Sequence, residues 1–395
     1  MSDSANSLDA QLLPLLYQTM ADYVASLDLP WDVHATAALA AGDGTMVAGS
    51  DATTAATTRR VVASMQEFFG TAWRLGDAAV LNDPDGGSVH PTQISTVVPI
   101  WLGAGVDRAP DYWAVVRADI PDFGGWELGG YSPQAIDRWA EGGRVVPVKV
   151  RLGGAARREA TDTLILNSRT PAITFASVTG MSDAATSLAE RFAGLGDFLG
   201  SLDAHSEQAR AADTAIIESA AAMLAPGQHA GRAAINVPWD DRDGGMVTLT
   251  IERGAKGLCV SFRDPPAVDP RPINCTAGMT EDLVLAAAAG AFDLDGLHSD
   301  ALRLAIVIKT PESSGLAAAV PTAVGIGRET TGQAVFRAVL DALASGGVTV
   351  DADDAWAAYR DRRIGDILDL ATGKITTAHA AVVVAQEAGR TESAA

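Results

Sequence analysis

Leu81-Asn82-Asp83-Pro84-Asp85-Gly86-Gly87-Ser88-Val89-His90 is the stretch on which the reading of this chain turns. The apolar run before it, residues 77–81, predicts a short strand, and residues 94–102 predict another after it. Asn, Asp, Pro and paired Gly between two such runs are turn formers. They make a strand-end loop that places carboxylate and imidazole side by side. By itself such a loop has two readings, a turn held by a hydrogen-bonded histidine or one wall of a metal site.

Outward from the loop the pattern mixes helix and strand. Residues 9–27 carry a helical stripe, residues 36–39 and 46–48 read as a hairpin about Gly42-Asp43-Gly44, and residues 59–73 return to helical spacing. A strand is predicted over 112–117, followed by a turn-rich block through Gly124-Gly125, Gly129-Gly130 and Gly142-Gly143. Further on, residues 207–224, 281–291 and 333–343 read as helices, 246–252 and 258–263 as a hairpin, and 302–308 as a strand. Residues 351–363 and 376–388 read as two more helices. Steady β-α-β alternation is missing, which predicts a mixed, multi-domain α+β fold rather than a doubly wound sheet. The expected divisions are 1–205 and 206–345, both α+β, and a helical tail over 346–395. In that tail Trp356, Tyr359, Ile364, Ile367, Leu368 and Leu370 recur at helical spacing and are expected to pack on a partner.

Composition narrows the function classes. A net charge of −20 argues against nucleic acid and anionic membrane as partners, because the long-range field repels both. Cys259 and Cys275 form no C-x-x-C pair, so zinc ribbons and redox motifs are excluded. The polar start, without a basic-then-apolar order, and the lack of a long apolar run predict a cytoplasmic protein. Nucleotide cradles fail on inspection: Gly373-Lys374 is followed by Ile375 where a P-loop needs Ser or Thr, and no G-x-S-x-G elbow exists.

The motifs then line up with a known pattern. Leu81-Asn82-Asp83-Pro84, Gly86-Gly87 and His90, with Val97-Val98-Pro99 behind them, resemble the N-D-P-Y-x-G-G-T-H-L-P-D…P signature of the hydantoinase B/oxoprolinase family. In the same order, Asp122-Phe123-Gly124-Gly125 is similar to H-H-x-D-[IV]-G-G, and Glu141-Gly142-Gly143-Arg144 with Pro147 and Lys149 to E-G-[LI]-R-[IV]-P-P-V-K. Asn167-Ser168-Arg169-Thr170-Pro171 is similar to N-[VS]-R-x-P, and Ile273-Asn274 to G-x-I-N-x-P. The resemblance covers about residues 10–345.

It implies an alpha-type subunit of a multi-subunit, ATP-dependent ketone carboxylase of the acetone or acetophenone kind, here a diverged paralogue in a supporting role. The alternatives are a subunit of an ATP-dependent cyclic-amide hydrolase acting on hydantoins or 5-oxoproline, and a non-catalytic scaffold. The implied partners are an actin-like, ATP-binding hydantoinase A-type subunit, a paralogous alpha-type subunit and a small zinc-binding subunit. ATP would sit on the partner. The implied cofactor is a divalent transition metal, Mn, Fe or Zn, with His90, Asp119 and Asp122 as the residues at its ligand positions. Gln93 replaces the signature's Asp, Asp119 and Ile120 replace its two histidines, and Asp85 replaces its Tyr. Gln is a weak neutral ligand, so a degenerate site is expected.

Overall fold

Alternate side chains of the central strands go to opposite sides, and both sides are buried. In β1 (Ala35–Ala41) Ala37 and Leu39 join one core while Ala38 and Ala40 join another. The same split runs through β3 (Ala78–Leu81), β4 (Gln93–Ile100) and β5 (Tyr112–Asp119). Strands buried on both faces read as largely apolar runs, broken here where Gln93 and Ser95 of β4 pair with Asp119 and Arg117 of β5. With β2 (Met46–Gly49), β6 (Val148–Leu152) and β7 (Ala155–Ala156) they form a seven-stranded antiparallel sheet ordered β2-β1-β5-β4-β3-β6-β7. The computed structural model describes residues 7–27, 35–103, 105, 107–120, 122–254, 257–294, 296–361, 368–369 and 374–375.

One face of the sheet is covered by α1 (Leu8–Leu27) and α5 (Pro171–Ala193). The other face meets α2 (Ala55–Phe69) and a larger core that continues into the second half of the chain. There a four-stranded sheet, β8 (Gln228–Ala234), β9 (Met246–Gly254), β10 (Gly257–Arg263) and β11 (Ile306–Lys309), is packed by α7 (Ala277–Phe292) and α9 (Gln333–Ser345). Only its β10–β11 pair is parallel. The mixed α+β architecture matches the expectation. Among the described residues no helix is long and apolar enough to cross a membrane.

Three local expectations differ from what forms. The strand expected over 302–308 is a helix, α8 (Ala301–Ala305), that runs directly into β11. Leu302 is buried, and Arg303 turns back onto Asp300 with bonds of 2.8 and 2.5 Å that close the helical turn. The 23-residue α5 has no counterpart in the sequence reading. Its Ser and Thr residues mask the stripe, and in the helix their hydroxyls donate to carbonyls one turn back, as Ser177 does to Ile173 at 2.9 Å and Thr179 to Phe175 at 2.8 Å. Lastly, Trp356 of α10 (Ala352–Asp361) is buried against Phe336 of α9, edge-on at 5.3 Å, with Tyr359 beside it. Trp356 and Tyr359 of the tail therefore pack on the chain's own core. Ile364, Ile367, Leu370 and the expected helix over 376–388 lie outside the described residues, as does the side chain of Leu368.

Candidate functional site

The 81–90 loop is tied to the turn-rich block by its own side chains. Asn82 donates to the carbonyls of Pro91 (2.6 Å) and Gly143 (2.7 Å) and accepts from the Val145 amide (2.6 Å). Asp83 takes two bonds from Arg144, at 3.0 and 2.7 Å, in the bidentate geometry that suits a guanidinium. Arg138, buried at the start of α3 (Arg138–Glu141), reaches Asp85 at 3.2 Å and donates to the Ala318 carbonyl at 2.9 Å. Asp122 is fully buried and accepts from the amides of Arg169 (2.6 Å) and Gly129 (3.3 Å) and from the Arg169 guanidinium (3.1 Å). Motifs far apart in the sequence are thus partners in one network.

Behind this network a second cluster gathers about Gly325. The Gly325 carbonyl meets His90 Nε2 at 2.9 Å, and its amide donates to Glu141 Oε1 at 2.5 Å. A carbonyl cannot donate, so Nε2 carries the ring proton; Nδ1 then accepts from the Thr92 hydroxyl at 2.6 Å and from the Thr92 amide at 3.2 Å. The ring stacks on Tyr131 with centroids 4.2 Å apart. Arg328 donates to the Tyr131 hydroxyl at 3.1 Å and to Glu329 at 2.8 Å. Arg328 and Glu329 open a π-helical turn, Arg328–Gly332, that leads into α9. Close backbone approach makes the cluster possible. Gly125 and Gly130 have φ of +90° and +73°, and a Cβ on either would come within 2.7 Å of the Glu141 backbone.

Burial sets the ionisation here. Desolvation raises the Glu141 carboxyl to about 7, against bonds from the backbone around Gly325 that favour the anion. Desolvation, and after it the positive charge of Arg328, push the His90 imidazole well below its ordinary value. Glu141 Oε2, Glu329 Oε2 and Arg328 Nη1 are buried with no hydrogen-bond partner. A neutral histidine, a carboxyl poised near neutrality and a fixed guanidinium form acid–base equipment in a dry setting.

The sequence model of hydantoinase B/oxoprolinase matches residues 32–360. The chain belongs to this family. The match starts later than residue 10 and runs past 345 into α10, so the family's fold includes the helix that seats Trp356. A stretch of 102 residues, 26% of the chain, is 30% identical to the caprolactamase subunit beta of Pseudomonas jessenii and covers 17% of that protein. The fold is that of the crystal structure of an ATP-dependent caprolactamase from Pseudomonas jessenii, with a TM-score of 0.75 and 20% identity over 85% of this chain. It is also that of a nucleotide-free acetone carboxylase, with a TM-score of 0.72 and 15% identity over 85% of this chain. The chain spans 59% and 46% of those two chains.

The metal that the family resemblance implies finds no fitting donors at the expected positions. Both His90 nitrogens are engaged by protein groups, and Gln93 Oε1 accepts from the Val89 amide at 3.2 Å. Asp119 pairs in register with Gln93 at the end of β5, where its field reaches Tyr131 and Arg328. Asp122 is turned into its Arg169 clamp. Among the described residues no three His, Cys, Asp or Glu side chains gather in a way that holds a metal. His90 and Glu141 lie within motifs legible in the sequence, whereas Tyr131, Arg328 and Glu329 lie in none. Their signal is an Arg-Glu pair beside Gly325-Ile326-Gly327 at the head of an apolar helix, and only burial gives that pair meaning.

Proposed function

We propose that this chain is the hydantoinase B-type subunit of a cytoplasmic, ATP-dependent complex that opens a cyclic amide, with ATP bound by an actin-like partner subunit. The observation that carries the reading is the equipment around Gly325: a neutral His90 and a buried Glu141 that ionises near neutrality. Cleaving an amide requires a proton to be delivered to the leaving nitrogen, and a carboxyl with a pKa near the working pH is suited to that task. His90, locked as the Nε2–H tautomer, holds the Gly325 turn against Glu141, and Tyr131 covers the ring face. The stretch of likeness to a caprolactamase subunit supports the same choice. Carboxylation of a ketone, the first expectation from the motifs, calls in the family for a metal, and among the described residues no three His, Cys, Asp or Glu side chains gather to hold one.

Affinity capture of the full chain from its native host, followed by assay of the captured complex, tests the reading. Lactams and hydantoins should be opened in an ATP-dependent way, and the chain alone should turn over no ATP. Carboxylation of a ketone without ring opening, or ATP turnover by the isolated chain, overturns it.

A further inference from the structure

We propose that Arg328 is the resident cation of this site and stands in for the divalent metal that the family signature would call for. The guanidinium is 2% exposed and is fixed on two sides, by Glu329 at 2.8 Å and by the Tyr131 hydroxyl at 3.1 Å. Tyr131 in turn lies flat on His90 at 4.2 Å, so the positive charge sits one ring away from the imidazole. Asp119, at one of the positions where the signature has histidine, contributes its negative field to the same guanidinium. The changes at the signature positions point the same way. A divalent ion needs carboxylates and free imidazole lone pairs, whereas here Gln93 is neutral and both His90 nitrogens are occupied. A second, divalent cation beside a buried guanidinium would meet a like charge without water to screen it. Arg328 Nη1 has no hydrogen-bond partner, so the cation keeps one donor edge uncommitted. That edge fits a carbonyl or carboxylate oxygen, which is the kind of atom a metal would polarise. The inference concerns the cation alone and stands whether the complex opens amides or carboxylates ketones.

The test uses the full-length chain, dialysed against Mn²⁺, Fe²⁺ or Zn²⁺ and then freed of excess ion, with metal content and thermal unfolding as readouts. Wild type and Arg328→Lys should retain far less than one ion per chain, and added metal should leave their unfolding temperature unchanged. Arg328→Gln, which removes the positive charge and keeps the Glu329 and Asp119 carboxylates, should raise retained metal by about tenfold. A wild-type chain that keeps one ion after dialysis overturns the proposal. So does a folded Arg328→Gln variant that ignores metal as wild type does. Should Arg328→Gln fail to fold, Arg328→Met replaces it under the same two outcomes, and the wild-type measurement stands alone as a refutation.

Discussion

Two clusters of buried polar groups lie back to back in this fold, and they follow opposite rules. Around Asn82, Asp83 and Asp122 these three side chains are fully engaged, with three partners for Asn82, a bidentate arginine for Asp83 and three donors for Asp122, and Arg138 Nη1 beside them is left without a bond. Around Gly325 each charged residue keeps one atom without a bond: Glu141 Oε2, Glu329 Oε2 and Arg328 Nη1. A satisfied network specifies shape, because any rearrangement would strand a desolvated group. An unsatisfied one holds interaction energy in reserve for another molecule. Asn82, Asp83 and Asp122 of the family motifs therefore belong to the scaffold, and in the proposed reading the chemistry falls to His90 and Glu141 of the same motifs, with Arg328 close by.

The largest expected effect tests the saturated side. Asn82→Ala removes three buried bonds at once and should cost about 3–5 kcal/mol of stability in denaturant unfolding. A loss under about 1 kcal/mol would break the contrast. Next, Asp83→Ala strands Arg144 and weakens the acidic pairing of Arg138, which is 3% exposed and also faces Asp85. About 3 kcal/mol should be lost, and part of it should return when Arg144→Met is added, since the cost lies in the orphaned Arg144 charge while Arg138 keeps Asp85 and the Thr322 and Ala318 carbonyls.

The smallest effect belongs to the Gly325 side and depends on pH. The Glu141 carboxyl is raised from 4.5 to about 7, so the folded state holds a proton that the unfolded chain has lost between those values. Its contribution is complete below about 4.5 and disappears as pH rises through about 7. Unfolding measured from pH 5 to 8 should show wild type losing about 1–3 kcal/mol that Glu141→Gln retains. His90 works in the other direction, since its lowered value makes acidification below its ordinary 6.5 unfavourable to the fold. Identical pH profiles for wild type and Glu141→Gln would show that both clusters are plain scaffold.

Much of this could be read before any coordinates. The apolar strands about the 81–90 loop, the hairpin at Gly42-Asp43-Gly44 and the mixed element order follow from local periodicity, which a strand or helix imposes on its own residues. The motif order was likewise legible, because glycines and Asn-Asp-Pro serve backbone needs that local sequence states directly. The helix over Pro171–Ala193 was not, since its small and hydroxylated residues become an apolar face only when packed on α1, where Gly180 meets Ser26 and Tyr23.

What the sequence determined by itself was the family, the α+β class and the loop that presents His90, all of them consequences of short-range pattern. The tertiary structure alone decided which charges meet. Asp83 finds Arg144, Asp122 finds Arg169, and Glu141 and His90 share Gly325 across 184 and 235 positions of chain. A carboxyl at about 7 and a guanidinium beside a histidine exist only because that closure removes water from both. Desolvation is a property of the assembled core, and no single stretch of residues carries it.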